Sequence, residues 1–167
     1  MAEPLQIPFT GVRVRYDSAK SYPDLVAALR ENIGHEPIPI NDIALDTGDW
    51  DSYRARIEPL LGPSGFALFG VIDHGAWIAK AAIDRRALRV ILGNPLIAIT
   101  MLRHDLSAGL FAPVEVLLLD EGPGRSSLTY VTPSSLMVVE DNPELLSAAT
   151  ALDAALAALA RTVIGDD

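Results

Sequence analysis

The chain contains no cysteine and only three histidines among its 167 residues. The missing thiols exclude a disulfide scaffold, a thiolate zinc site and a cysteine nucleophile. Basic side chains are also scarce, because 13 lysines and arginines stand against 22 aspartates and glutamates, which gives a formal net charge of −9. Since nucleic-acid backbones are bound by clustered positive charge, we expect no nucleic-acid partner.

Long apolar segments are missing as well. The longest uncharged stretches are residues 60–72, 90–102 and 126–139, and glycine or proline interrupts each of them. All three are shorter than the roughly 18 residues that a membrane-spanning helix needs. The N-terminus has neither a basic start nor the apolar segment of a signal peptide. We therefore expect no membrane partner and a cytoplasmic location.

Apolar residues are abundant. Half of the chain is hydrophobic, 21% is charged, and the mean hydropathy is +0.27. This composition is typical of a folded chain rather than a disordered one, and the length predicts a single domain over residues 1–167. So much apolar surface with so few charges also predicts a buried interface between subunits, which favours a homodimer.

The first third of the sequence predicts one strand and two helices. Val12, Val14 and Tyr16 alternate with Arg13 and Arg15, which indicates a strand whose arginines face solvent. A helix follows, with Ser21 as its N-cap, Pro23 in its first turn and Gly34 at its end. Residues 35–47 read as a loop or edge segment, and residues 49–61 as a second helix.

The remaining residues alternate between strands and helices. Strands are predicted over residues 66–72, 88–92, 114–119 and 127–131, with a hairpin over residues 121–125. A short helix opens at residues 73–75, and another over residues 96–102 is apolar on nearly every side, so we expect it to be covered all round. The terminal helix has Asn142 as its cap and Pro143 at its first position. This mixed order favours an α+β fold with a mainly antiparallel sheet.

Four stretches of this sequence, taken together, resemble one known family. Residues 65–76 read GFALFGVIDHGA, residues 88–95 LRVILGNP, residues 108–117 AGLFAPVEVL and residues 128–133 LTYVTP. In this order and spacing they are similar to the motifs of the domain of unknown function 302 family.

The resemblance implies a two-layer α+β fold with helices packed on one face of an antiparallel sheet, and a homodimer. It implies no established activity. The family-like core would comprise residues 12–33 and 65–139. Residues 34–64 would then be an insertion, and residues 142–164 an added C-terminal helix.

Asp73 and His74 are the first candidates for chemistry. They stand where a buried strand is predicted to end and a helix to begin, and a carboxylate beside an imidazole can orient it as a general base. The structural alternative is that Asp73 caps the following helix and His74 packs or forms a hydrogen bond.

Gly93, Asn94 and Pro95 form a second candidate, at the next strand-to-helix junction. The free amides of a helix N-terminus can bind a small anion, and Arg85, Arg86 or Arg89 would lie nearby in the sequence. The structural alternative makes Asn94 the N-cap and Pro95 the first helical residue.

Metal and cofactor chemistry find little support. His104 and Asp105 could join Asp73 and His74 around a metal ion, but nothing in their spacing requires it. The sequence has no nucleophile elbow, phosphate-binding loop or dinucleotide motif, so we predict no metal and no cofactor.

Three hypotheses follow. The leading one is a homodimer that binds a small ligand near Asp73, His74, Gly93 and Asn94. The second is an enzyme that uses Asp73 and His74 for acid–base chemistry or as metal ligands. The third is an interaction or structural module without catalysis.

Overall fold

A five-stranded antiparallel sheet organises the chain in the computed structural model, which describes residues 2–165. The strands are β1 (Arg13–Ser18), β2 (Ala67–Asp73), β3 (Ala87–Gly93), β4 (Val114–Asp120) and β5 (Ser126–Val131). Their order across the sheet is β1-β5-β4-β3-β2, so β1 and β2 form its edges. The first strand therefore pairs with the last one in the sequence.

Seven α-helices accompany the sheet within the described residues. They are α1 (Tyr22–Ile33), α2 (Ile40–Asp46), α3 (Trp50–Ile57), α4 (His74–Ile78), α5 (Pro95–Leu102), α6 (Pro133–Met137) and α7 (Pro143–Ile164). Single 3-10 turns follow α3 and α4 and another precedes β4. The predicted α+β fold is confirmed.

Local signals set the ends of the main helices. The Oγ of Ser21 accepts from the amide of Asp24 at the start of α1, and Gly34 ends that helix with a φ of 94°. Asn142 caps α7 through the amide of Leu145, and Gly165 ends it in the left-handed region. Such side-chain caps satisfy backbone groups that a helix end would otherwise leave unpaired, which is why these boundaries match the predicted ones.

The two faces of the sheet differ sharply. On the inner face, alternate side chains of the central strands are buried, among them Leu88, Val90, Val116, Leu118 and Leu128. Helices α1 and α7 cover this face with their own buried stripes. The intervening residues of the same strands form the outer face, and within residues 2–165 the long helices α1 and α7 lie on the other side of the sheet. The predicted two-layer arrangement, with helices on one face, is therefore confirmed.

Helix α7 has the length and the apolar composition that a membrane-spanning helix needs. Such a test is weak evidence, since the core helix of a globular protein passes it too. Here Leu145, Leu152, Leu156, Leu159 and Val163 are buried in the core against the sheet. The stripe is therefore accounted for by packing within the chain.

Three predictions about local structure were wrong. Residues 35–47, predicted as a loop or edge segment, contain α2, because the buried Ile43 anchors a short helix that no side-chain cap announces. The helix predicted over residues 49–61 ends at Ile57 and continues as a 3-10 turn that contains Pro59. Helix α5 is not covered all round: Met101 is buried, but Leu96, Ile97 and most of their neighbours are half-buried.

Candidate functional site

An open trough of about 780 Å³ lies on the outer face of the sheet. Its floor is formed by β4 and β5, and its sides by β1, β3, the start of α4, residues 110–113 and α6. The lining residues are Arg13, Arg15, His74, Arg89, Leu110, Phe111, Pro113, Val114, Glu115, Val116, Leu117, Leu119, Thr129, Tyr130, Val131, Pro133 and Leu136.

The strand register places the polar groups of the trough in a row. Arg15 pairs with Thr129, Thr129 with Leu117, and Leu117 with Arg89. Because paired residues point to the same face of a sheet, these four side chains cross the outer face from β1 to β3. Arg13, two residues before Arg15, adds a second arginine on the β1 side.

Carboxylates hold two of the three arginines in place. Arg89 donates from Nε to Glu115 at 2.8 Å and from Nη2 to the other oxygen of the same carboxylate. Arg15 donates from Nε and Nη2 to Asp17, at 2.8 and 2.7 Å, and its Nη2 lies 3.1 Å from Glu121. These hydrogen bonds raise the pKa of both Arg89 and Arg15 above the usual value, so both stay charged. Arg13 has no such partner in the part of the chain that the structure describes.

The floor of the trough is apolar. Leu117 and Leu119 project from β4, and Val131 projects from β5, two residues beyond Thr129, the partner of Leu117. Phe111 and Leu136 extend this surface at one end, where the ring of Phe9 meets that of Phe111 edge-on at 6.1 Å. The trough therefore combines a mainly apolar base with arginines on its sides, two of which are paired with carboxylates.

Of the four predicted ligand-binding residues, His74 alone lines the trough, together with Arg89, which the sequence analysis named beside the second candidate. His74 is the first residue of α4, and its Nδ1 accepts a hydrogen bond from Nε1 of Trp77 at 3.2 Å. Since an indole N–H can only donate, Nδ1 carries no proton in this arrangement, and Nε2 carries the N–H of the neutral ring. His74 thus offers a hydrogen-bond donor beside Arg89.

The other predicted site residues have structural partners. Asp73 accepts from the amide of Ala76 at 3.0 Å and so caps α4. Asn94 accepts from the amide of Leu96 and donates to the carbonyl of Gly65, both at 2.8 Å. A Cβ on Gly93 would approach Pro113 and Phe69 to within 3.1 and 3.2 Å, so close packing favours glycine there. None of these three lines the trough.

The hypothesis of an acid–base pair is not supported by a direct contact. Among the described residues, the carboxylate of Asp73 makes no hydrogen bond with His74, whose Nδ1 is engaged by Trp77. His104 lies in a separate shallow depression between α5 and α7. Within residues 2–165, no group of three or more histidines and carboxylates is arranged to hold a metal ion.

Arg13 and Arg15 are the residues that the sequence analysis missed, since it assigned them to a solvated strand surface. The alternation that predicted β1 did place both arginines on one face of the strand. The sequence pattern does not contain the strand order. Only the pairing of β1 with β5 places Arg13 and Arg15 on the same sheet face as Leu117 and opposite Arg89. A solvated face and the side of a trough have the same sequence pattern.

Fold and site together define a two-layer α+β protein with an arginine-lined trough on the outer face of its sheet. Residues 42–163 match the sequence model of the family described as Domain of unknown function DUF302. The chain belongs to this family, which confirms the resemblance seen in its motifs.

A solved structure shares the fold. The crystal structure of an uncharacterized conserved protein DUF302 from Bacillus stearothermophilus superimposes with a TM-score of 0.64, at 14% sequence identity. The alignment covers 90% of this chain and 97% of that one. At this identity the likeness concerns the fold. No curated protein matches the chain.

The family match extends into both segments that were predicted to lie outside the family-like core. It begins within residues 34–64 and ends within α7. The division into core, insertion and added helix remains a prediction.

Proposed function

We propose that the protein binds a small organic anion with an apolar body in the trough on the outer face of its sheet. One observation carries this proposal: Arg13, Arg15 and Arg89 surround a floor formed by Leu117 and its neighbours. Arginine is suited to carboxylate and phosphate groups because its planar guanidinium donates several hydrogen bonds in a fixed geometry.

The size of the trough supports a small ligand. Its volume of about 780 Å³ lies within the range of about 300–1,000 Å³ that is usual for small-molecule sites. An apolar floor with a few convergent polar groups is the usual composition of such sites. Apart from Glu115, whose carboxylate is held by Arg89, the ionised groups that line the trough are arginines.

The proposal differs from the sequence-based one in the residues it uses. Of the predicted ligand-binding residues it retains His74, as a hydrogen-bond donor, and assigns Asp73, Gly93 and Asn94 to caps and packing. Catalysis is not part of the proposal, since the Asp73 carboxylate caps α4 and His74 accepts from Trp77.

The test is a titration of the full chain with octanoate, an apolar monocarboxylate, followed by amide chemical shifts. We expect saturable binding with shift changes at Leu117, Thr129 and Arg89. Because screening weakens interactions between exposed charges, affinity is expected to fall as salt is raised. Leu117→Glu would place a carboxylate on the floor, and we expect it to weaken binding at least about tenfold, as one lost charge-assisted contact does.

Leu60→Glu is the matched control, because Leu60 is 41% exposed on the 3-10 turn after α3 and does not line the trough. It is expected to bind octanoate like the wild type. Equal affinities of the two variants would contradict the proposal. Shift changes centred on Gly93 and Asn94 would contradict it as well and would favour the helix N-terminus as the anion site.

We further propose that the protein is a cytoplasmic homodimer. The half-buried apolar side chains of α5 support association, since a subunit interface would remove them from water. Light scattering at micromolar concentration is expected to give twice the 17.9 kDa of one chain. The mass of a single chain would contradict the dimer.

A further inference from the structure

We propose that the ligand of the trough carries two acidic groups, one at each end of an apolar spacer, as an α,ω-dicarboxylate does. This inference rests on the proposed function and specifies the class of anion. We call Arg13 and Arg15 the β1 bank of the trough, and Arg89 and His74 the β3 bank.

The two banks lie on opposite sides of the trough. In the row Arg15–Thr129–Leu117–Arg89, two strands separate the arginines. At roughly 4.8 Å between neighbouring strands, the backbones of Arg15 and Arg89 are about 14 Å apart. Arg89 is held over β4 by Glu115, whereas Arg15 is held on β1 by Asp17, so the two guanidinium groups are fixed at separate carboxylates and do not converge on one ligand group.

These partners leave part of each guanidinium unused. Arg89 binds Glu115 through Nε and Nη2, and Arg15 binds Asp17 through the same two nitrogens. A guanidinium has five N–H donors, so the Nη1 edge of each remains to bind a ligand oxygen. Because the side chains are already oriented, less conformational entropy is lost when the ligand binds. Arg13 on one bank and His74 on the other supply further donors.

Between the banks the row contains no charge. Thr129 and Leu117 form its centre, and Leu119, Val131 and Glu115 lie in the adjacent rows, where the carboxylate of Glu115 is bound by Arg89. This arrangement fits a methylene or aromatic spacer between two acidic groups. A ligand with one acidic group would leave the donors of the opposite bank without a partner.

The electrostatics of the whole chain also favour a two-ended ligand over one with a free second charge. With a net charge of −9, the protein repels an acidic group that no cation meets. A second carboxylate therefore improves affinity only where a bank receives it.

The experiment compares octanoate with suberate, the dicarboxylate of equal carbon number, by isothermal titration of the full chain. We expect suberate to bind at least about tenfold more tightly, as expected when one more charge-assisted hydrogen-bonding group is engaged. Adipate and sebacate test whether affinity has an optimum in spacer length, as a fixed separation of the banks requires.

Single-bank variants separate one-ended from two-ended binding. Arg13→Gln/Arg15→Gln, which removes both arginines of the β1 bank, and Arg89→Gln are each expected to reduce the affinity for suberate to that for octanoate. Octanoate itself should lose about twofold at most in either variant, because it can turn its carboxylate to the other bank. The variant that combines all three substitutions is expected to weaken both ligands strongly. Arg54→Gln removes an exposed arginine of α3, outside the trough, and should change neither affinity.

Equal affinities of the wild type for suberate and octanoate would overturn the two-ended ligand while leaving anion binding intact. A single-bank variant that weakens the binding of suberate and octanoate to the same extent would overturn the two-ended ligand as well, because one bank would then bind both compounds alone. If neither suberate nor octanoate binds the wild type, the proposed function itself is overturned.

Discussion

The two faces of the sheet are built from the same strands and perform different tasks. On β4, Val116 and Leu118 face the helices and are buried, whereas Leu117 and Leu119 face the trough and are partly exposed. The residue types hardly differ, since all four are aliphatic. What differs is the layer above them: α1 and α7 on one side, and arginines with open space on the other. An aliphatic residue therefore does not by itself indicate the core.

The largest expected difference between the two faces is the loss of stability when a leucine is replaced by alanine. Leu118→Ala removes a fully buried side chain, so we expect the free energy of unfolding to fall by about 2–5 kcal/mol. Leu117→Ala removes the same atoms from the outer face and is expected to cost about 1 kcal/mol at most. Urea unfolding of both variants measures the difference. Equal losses would mean that the outer face is covered in solution, as a dimer through that face would require.

The inner face should also give the protein a sensitivity to alkali. Burial raises the pKa of Tyr130, and the neighbouring Tyr16, whose ring stacks on it at 6.2 Å, raises it further. Above about pH 10 the unfolded tyrosine loses its proton while the folded one keeps it, so stability falls as pH rises through that window. We expect Tyr130→Phe to reduce this slope in urea unfolding between pH 9 and 11, values that bracket the reference pKa of about 10.

Tyr53→Phe on α3 is the comparison for this prediction: burial raises the pKa of Tyr53 as well, but Tyr53 is less buried than Tyr130, so its removal should reduce the slope less. A slope that survives Tyr130→Phe and disappears in Tyr53→Phe would show that the alkaline sensitivity does not come from the sheet.

On the outer face, the expected effect is on binding. Glu115→Gln removes the charge that competes with a ligand for Arg89. We expect octanoate affinity to rise about fivefold, which corresponds to the roughly 1 kcal/mol of an exposed ion pair. The matched control is Glu144→Gln on α7, an exposed position outside the trough, which should leave affinity unchanged. Weaker binding by Glu115→Gln would contradict this expectation and would mean that the orientation of Arg89 by Glu115 outweighs the competing charge.

The smallest effect concerns Asp17, which forms an exposed ion pair with Arg15 at 2.7 Å. Since exposed ion pairs contribute little to folding, we expect Asp17→Asn to leave the midpoint of urea unfolding unchanged. The same measurement on Leu118→Ala gives the scale. A shift comparable to that of Leu118→Ala would show that charged pairs of the outer face stabilise the fold.

The sequence predicted the helix ends and strand positions where the signal is local. Ser21, Asn94 and Asn142 act as caps within one turn of the backbone groups they bind, so their neighbours in sequence suffice to predict them. Helix α2 was missed because Pro39 provides no side-chain cap and only the burial of Ile43 holds the helix in place. Burial depends on distant residues that a short window does not contain.

The candidate site was predicted only in part, because it too depends on residues that are distant in the sequence. His74 was identified at the end of a strand, and the structure places it at the trough. Asp73 was paired with it on the basis of adjacency alone. However, neighbouring residues at a helix start point in different directions, and the carboxylate caps α4 instead.

The sequence by itself determined the class of this fold, the caps of its main helices and the alternation that gives each strand two faces. These features depend on the backbone and its nearest neighbours, over which caps and periodicity act. Only the tertiary structure decided that Arg13 and Arg15 lie opposite Arg89 across Leu117, because this requires the order β1-β5-β4-β3-β2. That order arises from pairing between strands far apart in the chain, where the free energy of burying the inner face selects one register and thereby arranges the outer face as well.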